Sequence, residues 1–242
     1  NVQYKRFGNN YIITDQNTLM RSSEFHSPVE IITPTLKLHG VEPYRVGFDR
    51  LRIAELEQSD RHVFPYTQAQ FGVLRMHPGQ VLPCSYYASA SRLAFQIDFR
   101  KALAAIDIDL FNLPGIVYLK EHRDQEEIIL GLIPPIVEVY YDPALGTRVA
   151  ALHDGLHRMA LSHMERAPQL CIVIDVDYTE EQYMPYAVAN PWSKVKICME
   201  IPQVKKNYRR SKPDQYNYMR PYNAIFDPRE NVKSNDYGRV KY

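Results

Sequence analysis

The chain has 242 residues, of which 45% are hydrophobic and 24% are charged, and its formal net charge is +1. This composition is typical of a globular protein with one large or two small domains, and the near-neutral charge argues against polyanion binding by the molecule as a whole. The three cysteines (Cys84, Cys171 and Cys198) lie far apart and form no CxxC pair. The sequence therefore indicates neither a disulfide framework nor a structural zinc site.

The sequence also lacks the features of a membrane protein. No apolar run approaches the roughly 20 residues that a membrane-spanning helix needs. The polar segment from Asn1 to Gly8 does not have the pattern of a signal peptide. With cysteine usage that fits a reducing compartment, these features lead us to expect a cytoplasmic protein.

Residues 1–85 are expected to form a β-rich N-terminal region. Short apolar runs bounded by polar turns are typical of strands, and they occur at Tyr11–Thr14, at Val29–Thr33 and at Phe71–Arg75. The histidines of this region are scattered along the chain, so their spacing does not favour a metal site. No motif in the region indicates a function.

Residues 86–112 are expected to form a connecting helix, because apolar side chains recur at helical spacing from Ala88 to Ala105. The core is expected over residues 113–200 and begins with a strand at Ile116–Leu119. A hairpin-like connection around Gly146 then leads into the central strand. The pattern as a whole predicts an α+β fold of mixed helices and strands.

The central part of the core reads as strand, tight turn, helix and strand. Two apolar runs of buried-strand length, Val149–Leu152 and Leu170–Val176, enclose the turn. Asp154 is expected to cap the helix, and Gly155 is expected to let the backbone bend and approach a ligand closely. The turn therefore lies at the carboxyl end of a strand, where open α/β sheets bind ligands.

Two basic residues, His157 and Arg158, fall in the first turn of this helix. Cations are unfavourable beside the positive end of a helix dipole, unless an anion binds there. Backbone N–H groups, the dipole and Arg158 would together favour a phosphate. The alternative is that Asp154-Gly155 is ordinary turn chemistry with no ligand.

The Asp-Gly-x-His-Arg sequence at 154–158, followed by Met159-Ala160 and by Cys171-Ile-Val-Ile, resembles the signature of the ParB/sulfiredoxin superfamily. The segment Gly131–Val139 is similar to the strand that carries Gly and Pro-Ile in that fold, and Glu126–Leu130 is similar to the short helix before it. The resemblance covers residues 113 to 176. It implies a ParB/sulfiredoxin-like core, and the Asp-Gly-x-His-Arg variant resembles the ParB-like free serine kinases.

The resemblance to free serine kinases implies roles for individual residues. Members of that type use a carboxylate as general base in the loop after the first core strand, where Glu121 is the best match and Glu126 the second. Asp154 and Gly155 would shape a pocket for the phosphates of ATP or ADP with Mg²⁺, and His157 and Arg158 would stabilise the transferred charge. A base opposite a bound phosphate is the minimum that phosphoryl transfer needs. The alternative for residues 120–127 is a solvated first helical turn.

One departure from the superfamily excludes sulfiredoxin chemistry. Sulfiredoxins carry a reactive cysteine at the position of Leu156, and leucine forms no sulfur–phosphoryl intermediate. A metal site formed by protein side chains is also not expected. His153 precedes the turn and His157 follows it, so the two do not share one helical face, and His163 falls on the expected buried side.

Residues 201–242 form a basic, aromatic tail. From Gln203 to Tyr242 there are ten Lys and Arg residues, four acidic residues and six interleaved tyrosines. This combination suits contact with a single-stranded or backbone-level nucleic acid, or with a nucleotide. It equally suits an extended tail that wraps the acidic body through tyrosine packing and ion pairs.

Two functions follow as hypotheses. The first is a nucleotide-dependent phosphotransferase, a kinase acting on a hydroxyl group of a small molecule such as an amino acid or a nucleoside. The alternative is a ParB-like nucleotide-binding, DNA-associated protein or a nuclease that uses the basic tail. A purely structural member of the superfamily is a third possibility, and the sequence does not indicate the oligomeric state.

Overall fold

The computed structural model describes residues 2–7, 10–15, 42–46, 57–58, 63–113, 116–123, 126–178, 183–200, 202–209 and 218–222, with backbone alone at 2–7, 10–15, 42–46, 116, 118–123 and 126–130. The strand expected at Val29–Thr33 lies outside these residues.

The described residues form short strands and two helices. The strands are β1 (Val2–Phe7), β2 (Asn10–Asp15), β3 (Glu42–Val46), β4 (Gln70–Met76), β5 (Leu82–Pro83), β6 (Tyr87–Ser89), β7 (Ile116–Arg123), β8 (Glu126–Leu132), β9 (Ile136–Asp142), β10 (Thr147–Asp154), β11 (Gln169–Asp175), β12 (Ala187–Val188), β13 (Lys196–Cys198) and β14 (Asn207–Tyr208). The helices are α1 (Ala90–Ala104) and α2 (Leu156–Glu165), and short 3₁₀ turns lie at Pro78–Gln80 and Trp192–Lys194.

The centre of the described structure is a five-stranded mixed sheet of order β4-β11-β9-β10-β5. The pairs β9–β10 and β11–β4 are antiparallel, whereas β5–β10 and β9–β11 are parallel. A second sheet of order β3-β7-β8 is antiparallel, and β13 pairs with β6 in parallel. This arrangement confirms the mixed α+β fold.

Both faces of the five-stranded sheet are covered, which explains the nearly continuous apolar sequences of its inner strands. On one face, Val137, Cys171 and Val173 pack against α1, α2 and Trp192. On the other face, Ile136, Tyr140 and further side chains pack against Tyr66 and the residues that follow β11. Since successive side chains of a strand alternate, each inner strand contributes to both cores.

The strand–turn–helix–strand prediction is confirmed as β10, α2 and β11. The predicted helical stripe is confirmed as α1, which begins later than expected because the Ser89 hydroxyl caps it by accepting a hydrogen bond from the Arg92 N–H at 3.4 Å. Helix α1 packs against α2. Trp192 is buried, and its Nε1–H donates to the Val81 carbonyl at 2.9 Å.

The prediction for residues 126–130 was wrong. They form part of strand β8 and pair with β7 in an antiparallel hairpin, with Glu126 opposite Arg123. An acidic start followed by apolar residues suits a first helical turn, but pairing with β7 satisfies the backbone groups instead. Residues 120–123 likewise belong to strand β7 and not to a loop or a helix.

In the described part of the chain, neither helix has the length and apolarity needed to cross a membrane.

Candidate functional site

The turn between β10 and α2 is closed by Gly155 and not by an aspartate cap. Asp154 is the last residue of β10, and Gly155 occupies the N-cap position of α2 with φ 82° and ψ 23° and no side-chain capping bond. The expectation that Asp154 caps the helix was therefore wrong. Because the backbone of Gly155 is left-handed, this one residue turns the chain from the strand into the helix. The Asp154 carboxylate therefore has no capping role.

His157 connects the two helices. Its Nε2 accepts a hydrogen bond from the Ser89 N–H at 3.0 Å, at the residue that caps α1. Burial, with the nearby charge of Arg92, lowers the pKa of His157 to about 3. The imidazole is thus neutral at pH 7. Of the two cations predicted at the start of α2, only Arg158 therefore carries a positive charge.

Arg158 is buried beneath the loop that precedes β9. Only 9% of the residue is exposed, and Nη1 donates to the Ile133 carbonyl at 2.6 Å. Burial lowers the pKa of the guanidinium, and the carboxylate of Asp154 partly offsets this effect. An arginine starts from so high a pKa that it stays charged. Arg158 therefore places a fixed positive charge beside Asp154.

These residues line a cavity of about 330 Å³ at the carboxyl end of β10. This volume is near the lower limit for small-molecule sites. Every residue from Leu152 to Arg158 lines it, so the predicted motif is brought together in one place. Part of the lining is apolar and includes Phe95, Phe99, Leu110, Leu132 and Ile133.

The charged part of the lining is strongly cationic. The described lining carries four cationic side chains (Arg92, Arg158, Lys205 and Lys206) and one carboxylate, Asp154. The two histidines of the lining are neutral at pH 7, because burial lowers the pKa of His153 to about 4 and that of His157 to about 3. A cavity with this excess of positive charge suits an anionic ligand.

The two predicted catalytic carboxylates, Asp154 and Glu121, differ in their position relative to the cavity. Asp154 lines the cavity, and no described residue forms a hydrogen bond or an ion pair with its carboxylate. Glu121 lies within β7 opposite Ile128, whereas the cavity-lining Leu132 is opposite Val117. Glu121 lies four residue steps along the strand from Val117, which is roughly 13 Å. The Glu121 and Glu126 side chains lie outside the described residues.

Behind the cavity lies a buried polar cluster that was not predicted. Glu138 is fully buried and accepts hydrogen bonds from three tyrosine hydroxyls, and Arg220 Nε lies 3.5 Å from its Oε1. The three donors are Tyr66, Tyr222 at 2.9 Å and Tyr178 at 2.5 Å. We call Glu138, Arg220 and these tyrosines the Glu138 cluster.

The Glu138 cluster keeps its carboxylate ionised. Burial would raise the pKa of Glu138, but the His153 and Arg220 side chains and the hydroxyl donors outweigh burial and lower the pKa to about 2. His153 joins the cluster to the cavity, since its Nε2 lies 3.9 Å from Glu138 Oε2 and 4.0 Å from Cys84 Sγ. Burial raises the pKa of the Cys84 thiol to about 12, so it is not a thiolate nucleophile at pH 7.

The described residues of the tail contact the body of the protein. Arg209 forms an ion pair with the buried Asp142, the Lys206 ammonium donates to the Tyr186 hydroxyl, and Arg220 joins the Glu138 cluster. Strand β14 pairs with β12. These contacts favour the wrapping alternative for residues 202–209 and 218–222. Contact of the tail with nucleic acid stays a prediction for the rest of it.

No group of three or more His, Cys, Asp and Glu side chains within the described ranges is placed to hold a metal ion. Any Mg²⁺ at this site would therefore depend on the phosphates of a nucleotide for most of its ligands. The Asp154 carboxylate, which forms no hydrogen bond with any described residue, and the cationic lining fit such a nucleotide complex.

Comparison with known proteins agrees with the ParB-like part of the sequence resemblance. The model of the ParB CE domain family matches residues 48–196, which include β4, α1 and the whole β10–α2–β11 unit. Neither the curated proteins nor the solved structures contain a significant match. Since the matched residues make up well over half of the sequence, the chain belongs to the ParB CE domain family.

Proposed function

We propose that the protein is a nucleotide-dependent phosphotransferase that acts on a hydroxyl group of a small molecule, such as an amino acid or a nucleoside. The observation that carries this proposal is the cavity at the start of α2, whose described lining holds four cationic side chains and one carboxylate, Asp154. Membership of a ParB-like family is compatible with this function and does not by itself specify it.

The cationic side chains would bind and orient the donor. The phosphates of ATP would lie between the N-terminus of α2 and the cations of the lining, with Arg158 held in place by the Ile133 carbonyl. Fixed positive charges stabilise the charge that develops on the transferred group without having to reorganise. The apolar side chains of the lining, Phe95 and Phe99 among them, would contact the nucleobase.

Asp154 is the group that we assign as general base. In the transfer, the acceptor hydroxyl oxygen forms a bond to the γ-phosphorus, and the bond from that phosphorus to the β,γ-bridging oxygen breaks. The hydroxyl proton passes to the Asp154 carboxylate, and ADP leaves. Asp154 is favoured over Glu121 because Asp154 lines the cavity, whereas Glu121 lies roughly 13 Å along β7 from Val117. Bound Mg²⁺ would neutralise part of the phosphate charge.

A metabolite screen for ATP consumption tests the proposal. Small hydroxylated compounds are incubated with the wild type, with Asp154→Asn and with Glu121→Gln, after thermal melting has shown that the variants fold. We expect turnover in the wild type, a loss of at least a hundredfold in Asp154→Asn, and near-normal turnover in Glu121→Gln. The reverse pattern would move the base role to Glu121. Equal turnover in all three would remove both carboxylates from the mechanism.

A further inference from the structure

The two outer edges of the five-stranded sheet differ in how they are protected. One edge is β5, which has only two residues, Leu82 and Pro83. The other edge is β4, which pairs with β11 over all seven of its residues, without a bulge, and with no other described strand. Short length, proline, lysine and bulges keep an edge from accepting a further strand. β5 has the first two of these features, whereas β4 has none of the four.

The edge strand β4 also exposes apolar side chains. Leu74 is 56% exposed and Phe71 is 42% exposed. Because successive side chains of a strand point to opposite faces, Leu74 lies on one face of the sheet and Phe71 on the other. Val73 and Met76 are partly buried at the margins of the two cores. A seven-residue edge with exposed apolar side chains on both faces is suited to pairing with another strand.

The sequence of β4 is complementary to itself in the antiparallel direction. If two copies of β4 pair about Val73, Leu74 of each copy lies opposite Gly72 of the other. A Cβ added to Gly72 would meet nothing within 4 Å, so the space beside this glycine is open. The two Leu74 side chains are then diagonal neighbours on one face, about 7–8 Å apart, and can meet over the two glycines.

The charge on β4 agrees with the same pairing. Arg75 is the one charged residue of the strand, and it is exposed. In the pairing about Val73, Arg75 lies opposite Phe71 of the second copy, where a guanidinium group can contact the face of the ring. The two Arg75 residues are offset by four residue steps, roughly 13 Å, so no like charges lie opposite each other. Shape and charge therefore both favour a second copy of this chain as the partner.

We infer that two copies of the chain associate through β4, which pairs with β4 of the second copy and joins the two five-stranded sheets into one continuous sheet. A two-fold axis relates the copies, so both use the same residues and the interface is closed. The outer edge that remains on each sheet is the short, proline-containing β5, which stops growth beyond the dimer. Since the paired strands are short, the interface is small and the dimer forms at high protein concentration.

Analytical ultracentrifugation of the whole chain, from low to high protein concentration, tests the inference. We expect the wild type to pass from monomer to dimer. Leu74→Lys should weaken dimerisation by at least about tenfold, because it removes the apolar contact and brings two ammonium groups together. Leu145→Lys is the matched control, since Leu145 is 43% exposed and lies between β9 and β10, away from β4. Thermal melting shows whether the variants fold, and the control should dimerise like the wild type.

A second substitution tests the register of the pairing. In the double variant Gly72→Glu, Leu74→Lys, each introduced ammonium group lies opposite an introduced carboxylate, so dimerisation should recover. The monomer has room for this change, because a Cβ at position 72 meets nothing within 4 Å. A double variant that dimerises as weakly as Leu74→Lys would overturn the pairing of Leu74 with Gly72, and the inference with it.

Hydrogen exchange of the backbone of β4 gives a readout that does not depend on the variants. The N–H groups at the outer edge should exchange more slowly at high than at low protein concentration, because carbonyl groups of the second copy then accept their hydrogen bonds. A wild type that stays monomeric at every concentration would overturn the inference. Equal weakening by Leu74→Lys and Leu145→Lys, or exchange of β4 that does not change with concentration, would also overturn it.

Discussion

The backbone at Gly155 passes so close to Pro135 that a β-carbon at position 155 would lie 2.7 Å from the Pro135 Cβ. Pro135 belongs to the loop whose Ile133 carbonyl accepts the hydrogen bond from Arg158. The close approach therefore holds the start of α2 against this loop. It sets the direction in which the backbone N–H groups and Arg158 face the cavity.

Gly155→Ala is expected to lower the free energy of unfolding by about 2–4 kcal/mol. The left-handed backbone, with φ 82°, contributes roughly 1 kcal/mol of this loss, and the contact with Pro135 contributes roughly 1–3 kcal/mol. Urea denaturation measures the effect. Gly146→Ala is the matched control, because Gly146 has φ 66° and nothing within 4 Å of an added Cβ. Equal losses in the two variants would show that the Pro135 contact contributes nothing.

Arg220→Met is expected to destabilise the protein by about 3–5 kcal/mol, because it leaves Glu138 buried without its cationic partner. The double variant Glu138→Gln, Arg220→Met should be more stable than the single variant, since the buried charge is then gone. Chemical denaturation of both variants measures this coupling.

Arg148→Met is the control for Arg220→Met. The ion pair between Arg148 and Asp175 has side chains that are 49% and 52% exposed, so its loss should cost no more than about 1 kcal/mol. If Arg148→Met and Arg220→Met are equally unstable, the Glu138 cluster does not stabilise the attachment of the tail.

Stability is expected to fall as the pH drops from 6.5 towards 4. The pKa of His153 is lowered to about 4 and that of His157 to about 3, from 6.5 in the unfolded chain. In this window the unfolded chain binds more protons than the folded protein, so stability is full above pH 6.5 and decreases below it. Each histidine contributes up to about 1.4 kcal/mol per pH unit. Glu138, with a pKa lowered to about 2, adds to the loss only below pH 4.5.

His157→Gln tests the pH dependence, because the glutamine amide can still accept the hydrogen bond from Ser89 but does not titrate. The free energy of unfolding is measured in urea at pH 7, 6 and 5 for the wild type and the variant. The slope of stability against pH should fall by roughly half in the variant. An unchanged slope would mean that His157 is not buried in its neutral form.

The β10–turn–α2–β11 unit could be predicted from the sequence because its signals are local. Apolar runs of strand length, a glycine at the bend and a helical apolar stripe all lie within Val149–Asp175. The error at Asp154 is also local, since an aspartate before a helix is a common cap, and only the backbone angles show that Gly155 takes that position.

The remaining parts of the site depend on contacts between distant segments. Arg92 and Lys205 reach the cavity only because α1 packs on α2 and the Lys205 backbone attaches to Ser85 and Tyr86. The sequence does indicate that Glu138 is paired. It is a carboxylate within the apolar run Ile136–Tyr141, and a buried strand tolerates such a charge only when it has a partner. The sequence does not indicate that its partner is Arg220.

Calorimetric titration of the wild-type chain with ATP and Mg²⁺, at low and at high salt, tests the central claim that the cavity beside Asp154 and Arg158 binds a nucleotide. We predict saturable binding of one nucleotide per chain, with an affinity that decreases as the salt concentration rises, because the cations of the lining supply much of the attraction. ADP should compete for the same site. No saturable heat with ATP, ADP or CTP, with or without Mg²⁺, would contradict the claim.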